Sequence, residues 1–223
     1  MNDRWPALPW VAPFALFMGV LAAAPVLGLP QPWDSLLRLG VPLLGLAWGA
    51  WPILRSLRIA HPVADGMIGL GVCALWVAPD LLIPGWRAHP IFQNALTGTL
   101  TASLAPADFA DPFVVTLRVV RAVVLVPVVE ELFWRGWLPR WIADPAWQGV
   151  TFGHYTRLAF YGTALLFAAE HGPYWEVGLL CGLLYNVWMR HTRSLGDLIL
   201  VHAVSNAALS VVVLRTGRYA FWM

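Results

Sequence analysis

Seven apolar stretches of bilayer-crossing or nearly bilayer-crossing length dominate this chain: residues 8–29, 35–57, 63–84, 113–138, 156–171, 175–190 and 195–214. A helix of about 20 apolar residues spans the hydrocarbon core. Inside hydrocarbon every backbone N–H and C=O must be bonded within the protein, so only helices or a closed barrel can cross. A barrel would need short alternating segments, and these runs are continuous. The expected fold is all-α, a polytopic helical membrane protein with about seven to eight transmembrane helices. The fifth and sixth stretches are short. Residues 91–105 are apolar but rich in Thr and Ser, so they are expected to form an interfacial helix or an eighth span. No internal repeat or low-complexity tract appears, which points to a single integral membrane domain over residues 1–223.

Composition supports this reading. Apolar residues make up 59% of the chain and charged residues 12%, far from soluble usage. Many of the fourteen tryptophans lie near helix ends, as in an aromatic belt. All fourteen basic residues are Arg, which excludes Schiff-base and Ser–Lys chemistry. A net charge of +2 with no basic stripe suggests no nucleic-acid partner. Cys73 and Cys181 sit in apolar segments without a CxxC and are expected to be packed thiols. Ser194-Leu-Gly-Asp197 fits a capping box that opens the last helix.

Against that background, Glu130 and Glu131 are out of place. Only four glutamates occur in the chain, and these two lie side by side in Val-Val-Leu-Val-Pro-Val-Val-Glu-Glu-Leu-Phe-Trp-Arg, residues 123–135. One ionisable group at the bilayer centre costs about 2.5–3.5 kcal/mol on insertion scales. On a helix, Glu131 and Arg135 stand four residues apart and can pair, acid first. Adjacent residues point about 100° apart, so Glu130 addresses a different face. This suggests that Glu131 and Arg135 hold the helix while Glu130 faces a cavity. A buried ion network without chemistry would leave the same local pattern.

Two further constellations add to it. Phe167-Ala-Ala-Glu-His171 places an aromatic ring and an imidazole one turn apart; Glu170, beside the Gly172-Pro173 turn, is expected to reach interfacial water. His202-Ala-Val-Ser-Asn206 places an imidazole and a carboxamide one turn apart, with His202 about 10 Å into its span. Neither is at home in lipid, so both should face the bundle interior. A carboxylate, two imidazoles and an amide suit peptide-bond hydrolysis: Glu takes a proton from water, and the other groups orient it and donate to the oxyanion. Ser205 is not in a nucleophile elbow, and no HExxH is present. A divalent metal such as zinc, held by Glu130, His171 and His202, would fit the pattern equally.

In order and on separate apolar stretches, Glu-Glu-x-x-x-Arg, Phe-x-x-x-His and His-x-x-x-Asn resemble the type II CAAX prenyl endopeptidases and their bacterial relatives, the CPBP or ABI family of intramembrane proteases. The resemblance covers about 125–210 and marks 113–214 as the catalytic core. It implies that Glu130 activates water with help from His171, that His202 and Asn206 form the oxyanion hole, and that Glu131, Arg135 and Phe167 support the site. It implies a membrane-associated protein or peptide substrate, cut near its C-terminus, and a bacterial inner-membrane setting. Eukaryotic members remove the last three residues of prenylated proteins; bacterial members have other roles, including bacteriocin self-immunity. A simple span over 156–171 places His171 near the far end of its helix, deeper than Glu130. A proton-linked transporter would also use intramembrane Glu and His, but the paired repeats and broken helices of transporters are not evident. A non-catalytic membrane partner that keeps the motif for structure is the third reading.

Overall fold

Proline and hydroxyl signals set the helix starts. Pro62 and Pro112 occupy first helical positions, where their missing N–H costs nothing. Asp111 caps Phe113 and Val114, Thr156 caps Ala159, and Ser194 caps Asp197. In the computed structural model, which describes residues 5–222, there are seven helices, four of them opened by these signals. They are α1 (Leu8–Leu27), α2 (Trp33–Leu54), α3 (Pro62–Leu82), α4 (Pro112–Ala143), α5 (Arg157–Ala169), α6 (Trp175–Thr192) and α7 (Leu195–Thr216). No strand occurs among the described residues. The chain is an all-α integral membrane protein: α1 to α4 and α7 are long and apolar enough to cross a bilayer, and α5 is a shorter apolar helix. Large apolar side chains point outward, Val26 at 87% and Trp48 at 81% exposure, as a lipid-facing surface requires.

Residues 91–105 form neither an interfacial helix nor an eighth span. Asn94 Oδ1 accepts from the backbone of Leu96 and Thr97, and Gly98 adopts φ +79°. Side chains that claim backbone N–H groups favour turns over helix. The segment is part of a long connection between α3 and α4. The capping box at Ser194 also forms by half. Ser194 Oγ accepts from Asp197 N, but the Asp197 carboxylate reaches across to the backbone N–H of Ala60 and to His61 Nδ1, tying α7 to the start of α3.

α4 runs past 138 to Ala143, through Pro127 and Pro139. A proline inside a helix removes one N–H and crowds the carbonyl four residues back. Here the backbone widens ahead of each: π-helical segments cover Arg121–Leu125 and Leu132–Trp137, ending two residues before Pro127 and Pro139. In α2, Leu46–Ala50 does the same before Pro52. Such bulges recur at functional sites, and the pair in α4 brackets Glu130 and Glu131.

A shared apolar cluster contains Leu125, Val129 and Leu132 of α4, Phe167 of α5, and Leu198 and Val201 of α7. Gly69 of α3 lets that helix come close to α7: a Cβ there would lie 2.6 Å from the Val201 carbonyl oxygen. The core thus fixes α4, α5 and α7 relative to one another, and these three carry the polar groups. Cys73 and Cys181 are buried free thiols.

Candidate active site

Between these helices lies a cavity of ≈ 320 Å³. α4 supplies Glu130, the end of α5 supplies Glu170 and His171, and α7 supplies His202 and Asn206. The N-terminal half, which carries no motif, completes the wall with Phe17 and Leu21 of α1 and Val72 and Trp76 of α3. Glu130 is only 7% exposed, and its Oε2 has no hydrogen-bond partner.

Glu131 does not line the cavity. It is fully buried, and Arg135 Nη1 lies 3.1 Å from each of its carboxylate oxygens. Arg135 is held in turn by Asn186 of α6 (Nε to Oδ1, 3.3 Å) and lies over the Phe167 ring at 4.3 Å. Glu131 also accepts from His202, with Nδ1 to Oε1 at 2.8 Å. A contact 71 positions apart in sequence therefore joins the acidic pair of α4 to the His-x-x-x-Asn motif. The remaining nitrogen of His202, Nε2, is the one left for the cavity that the residue lines.

Asn206 is partly committed to structure. Val126 N–H bonds to the Arg121 carbonyl, five residues back. In that register the next donor would be residue 127, which is proline, so the Ala122 carbonyl lacks a helical partner. Asn206 Nδ2 supplies it at 2.8 Å. An amide nitrogen has two N–H groups, and the second remains for a ligand.

His171 follows the end of α5, and its Nδ1 lies 2.6 Å from the Phe167 carbonyl oxygen. The carbonyl can only accept, so Nδ1 carries the proton and Nε2 is free. Phe167 (centroids 4.5 Å apart) and Trp76 (5.3 Å) hold the ring. Gly178 of α6 leaves it room: a Cβ there would sit 3.2 Å from the imidazole. Replacing Gly178 by Ala should displace the ring by a few tenths of an ångström and lower turnover about tenfold, since small misplacements at a reacting centre are costly. Turnover measured beside thermal unfolding checks this; equal activity would show that the ring position is unimportant.

Glu170 does not turn to interfacial water. It lines the cavity, and its Oε1 is buried without a hydrogen-bond partner. Donor atoms of Glu130, Glu170 and His171 all lie within 4.8 Å of one another, and His202 is not part of that group. His171 therefore reaches the level of Glu130. α5 has only 13 residues, about 20 Å of helix, while α4 overshoots it at 32 residues.

This arrangement can hold a water beside a carboxylate and a neutral imidazole nitrogen, with an amide and a second imidazole close by. Residues 112–208 match a family model described as Type II CAAX prenyl endopeptidase Rce1-like. No curated protein and no solved structure matches the chain. The matched segment runs from the first residue of α4 into α7 and contains every motif residue that meets at this cavity or behind it; over these residues the chain is similar to the Rce1-like type II CAAX prenyl endopeptidases.

Proposed function

We propose that this chain is an intramembrane endopeptidase that cuts a membrane-associated protein or peptide near its C-terminus, with water activated at Glu130. The observation that carries the reading is a buried carboxylate with an orphaned oxygen, facing a polar cavity within apolar helices. Such a group is expensive in a membrane and marks a functional site. Glu130 takes a proton from water as the hydroxyl adds to the scissile carbonyl carbon. Asn206 donates an N–H to the oxyanion, with His202, held by Glu131, beside it. When the C–N bond breaks, the proton passes to the leaving amine, with His171 Nε2 assisting. Residues 113–214 form the catalytic core of one membrane domain on this reading.

Arg121 supports cleavage near a C-terminus. It lines the same cavity, is 7% exposed, and has no hydrogen bond or ion pair among the described residues. It precedes Glu130 by nine residues on one helix, about 13 Å, the length of roughly four extended residues. A guanidinium there suits the free α-carboxylate of a bound peptide.

The test uses purified protein in lipid with an acyl-anchored peptide, offered as the free acid or as the C-terminal amide. Mass spectrometry of the products should show a preference for the acid of roughly ten- to a hundredfold in kcat/KM, the worth of a hydrogen bond to a charged group. Arg121→Gln should erase that preference. Equal cleavage of acid and amide by the unmodified protein would remove the C-terminal assignment.

A further inference from the structure

We propose that a second pocket, at the end of α4, binds a phosphate oxyanion of the kind an anionic phospholipid presents at a membrane surface. The pocket lies among the end of α4, the connection into α5 and the end of α6, and has a volume of ≈ 30 Å³. That is room for about two waters, and so for the oxygens of one phosphate entering from the surface. It shares no lining residue with the catalytic cavity. Arg140, Arg190, His154 and Tyr155 line it, each able to donate a hydrogen bond, and among the described residues no carboxylate does.

Arg140 carries the argument. It is only 7% exposed, yet it pairs with no carboxylate among the described residues. The rings of Trp10, Trp147 and Phe152 lie against its guanidinium, with centroids 4.7, 4.8 and 4.4 Å from Cζ. Nε donates to the Gly136 carbonyl, and Nη2 is buried with no partner. The rings fix the cation and keep water from it without meeting that last donor. A desolvated N–H on a charged group is costly to leave unmet, and the planar fork of Arg matches phosphate. A second guanidinium without an ion-pair partner, Arg190, stands at the exposed mouth over the Tyr155 ring at 4.5 Å. Gly153, at φ +70°, lets the connection press against α6: a Cβ there would lie 2.5 Å from the Met189 carbonyl oxygen. The setting favours a lipid source. Basic pockets between membrane helices hold lipid headgroups, and Leu158, Tyr161 and Leu165 are exposed along one face of α5. That helix starts beside the pocket, so acyl chains have an apolar surface to follow.

The experiment uses the full chain in detergent, freed of bound lipid and titrated with dioctanoyl phosphatidylglycerol, dioctanoyl phosphatidylcholine or inorganic phosphate. Native mass spectrometry counts what binds, and the rise in unfolding temperature gives the affinity. One phosphatidylglycerol should bind, more tightly than phosphatidylcholine. Arg140→Gln should weaken it roughly ten- to a hundredfold, the worth of a hydrogen bond to a charged group. Arg190→Gln should weaken it several-fold, and Arg121→Gln, in the catalytic cavity, should leave it unchanged. If Arg140→Gln fails to fold, Arg140→Lys takes its place: it keeps the charge among the rings, loses the fork, and should bind the lipid more weakly. Inorganic phosphate that binds as tightly as the lipid, and is lost in the same variants, would support the site with free phosphate as its ligand; much weaker binding identifies the headgroup. Equal binding of the two lipids would overturn the site and leave Arg140 as a packed aromatic anchor. Binding that the Arg140 and Arg190 variants leave intact, or that Arg121→Gln removes, would overturn it as well.

Discussion

Replacing Glu130 by Gln should lower peptide hydrolysis about a thousandfold, within the range that general acid–base groups supply, while leaving the folded state as stable as before or more so. The two halves of that expectation have one cause. The Glu130 carboxylate is buried, has no ion-pair partner among the described residues, and leaves Oε2 without a hydrogen bond. Such a group weakens the fold and persists for what it does. An amide keeps the shape of the side chain and removes both the charge and the basic oxygen. The measurements are steady-state hydrolysis of the anchored peptide and thermal unfolding in the same detergent. Hydrolysis within a few-fold of the unmodified protein would remove Glu130 from the mechanism. A large loss of stability with the loss of activity would show a structural role instead.

How far this site can be read from the chain depends on the range of each interaction. The Glu131–Arg135 pair and the separate direction of Glu130 follow from helical spacing, because they are local to one turn. The spans follow from apolar runs, and each helix lies within a few residues of its run. The apolar stretch ends at 138, yet α4 continues through Pro139 to Ala143 because Leu132–Trp137 widens first; nothing in composition announces a π segment. Glu170 was assigned to water because it adjoins a Gly-Pro turn. Its inward direction depends on how α5 meets α4, which residue spacing within α5 does not contain. The bond from His202 to Glu131 and the cap that Asn206 places on Ala122 join elements some 70 to 84 positions apart. The walls from α1 and α3 carry no polar signal. Their contribution is shape, and shape is set by packing.

Removing Glu131 should have the opposite signature: a loss of about 3–5 kcal/mol of stability, the cost of stranding one member of a buried ion pair. In Glu131→Ala the Arg135 guanidinium stays between Phe167 and Tyr185, 4.3 and 5.1 Å from their ring centroids, without its counter-charge. The Asn186 and Gly182 contacts that remain, at 3.3 and 3.5 Å, are neutral acceptors and cannot replace a carboxylate. His202 Nδ1 loses its acceptor in the same step, so activity should fall as well, through a ring that is no longer held. A double change, Glu131→Leu with Arg135→Met, separates the two effects. Apolar side chains of similar volume remove the stranded charge, and replacements of this kind in buried ion pairs are often neutral or stabilising. The double variant should therefore recover most of the stability and none of the activity. Chemical unfolding in detergent, run as a double-mutant cycle, gives the coupling between the two residues. Additive losses would mean that the pair does not act as a unit. Recovered hydrolysis in the double variant would mean that the Glu131–His202 bond plays no part in holding the site.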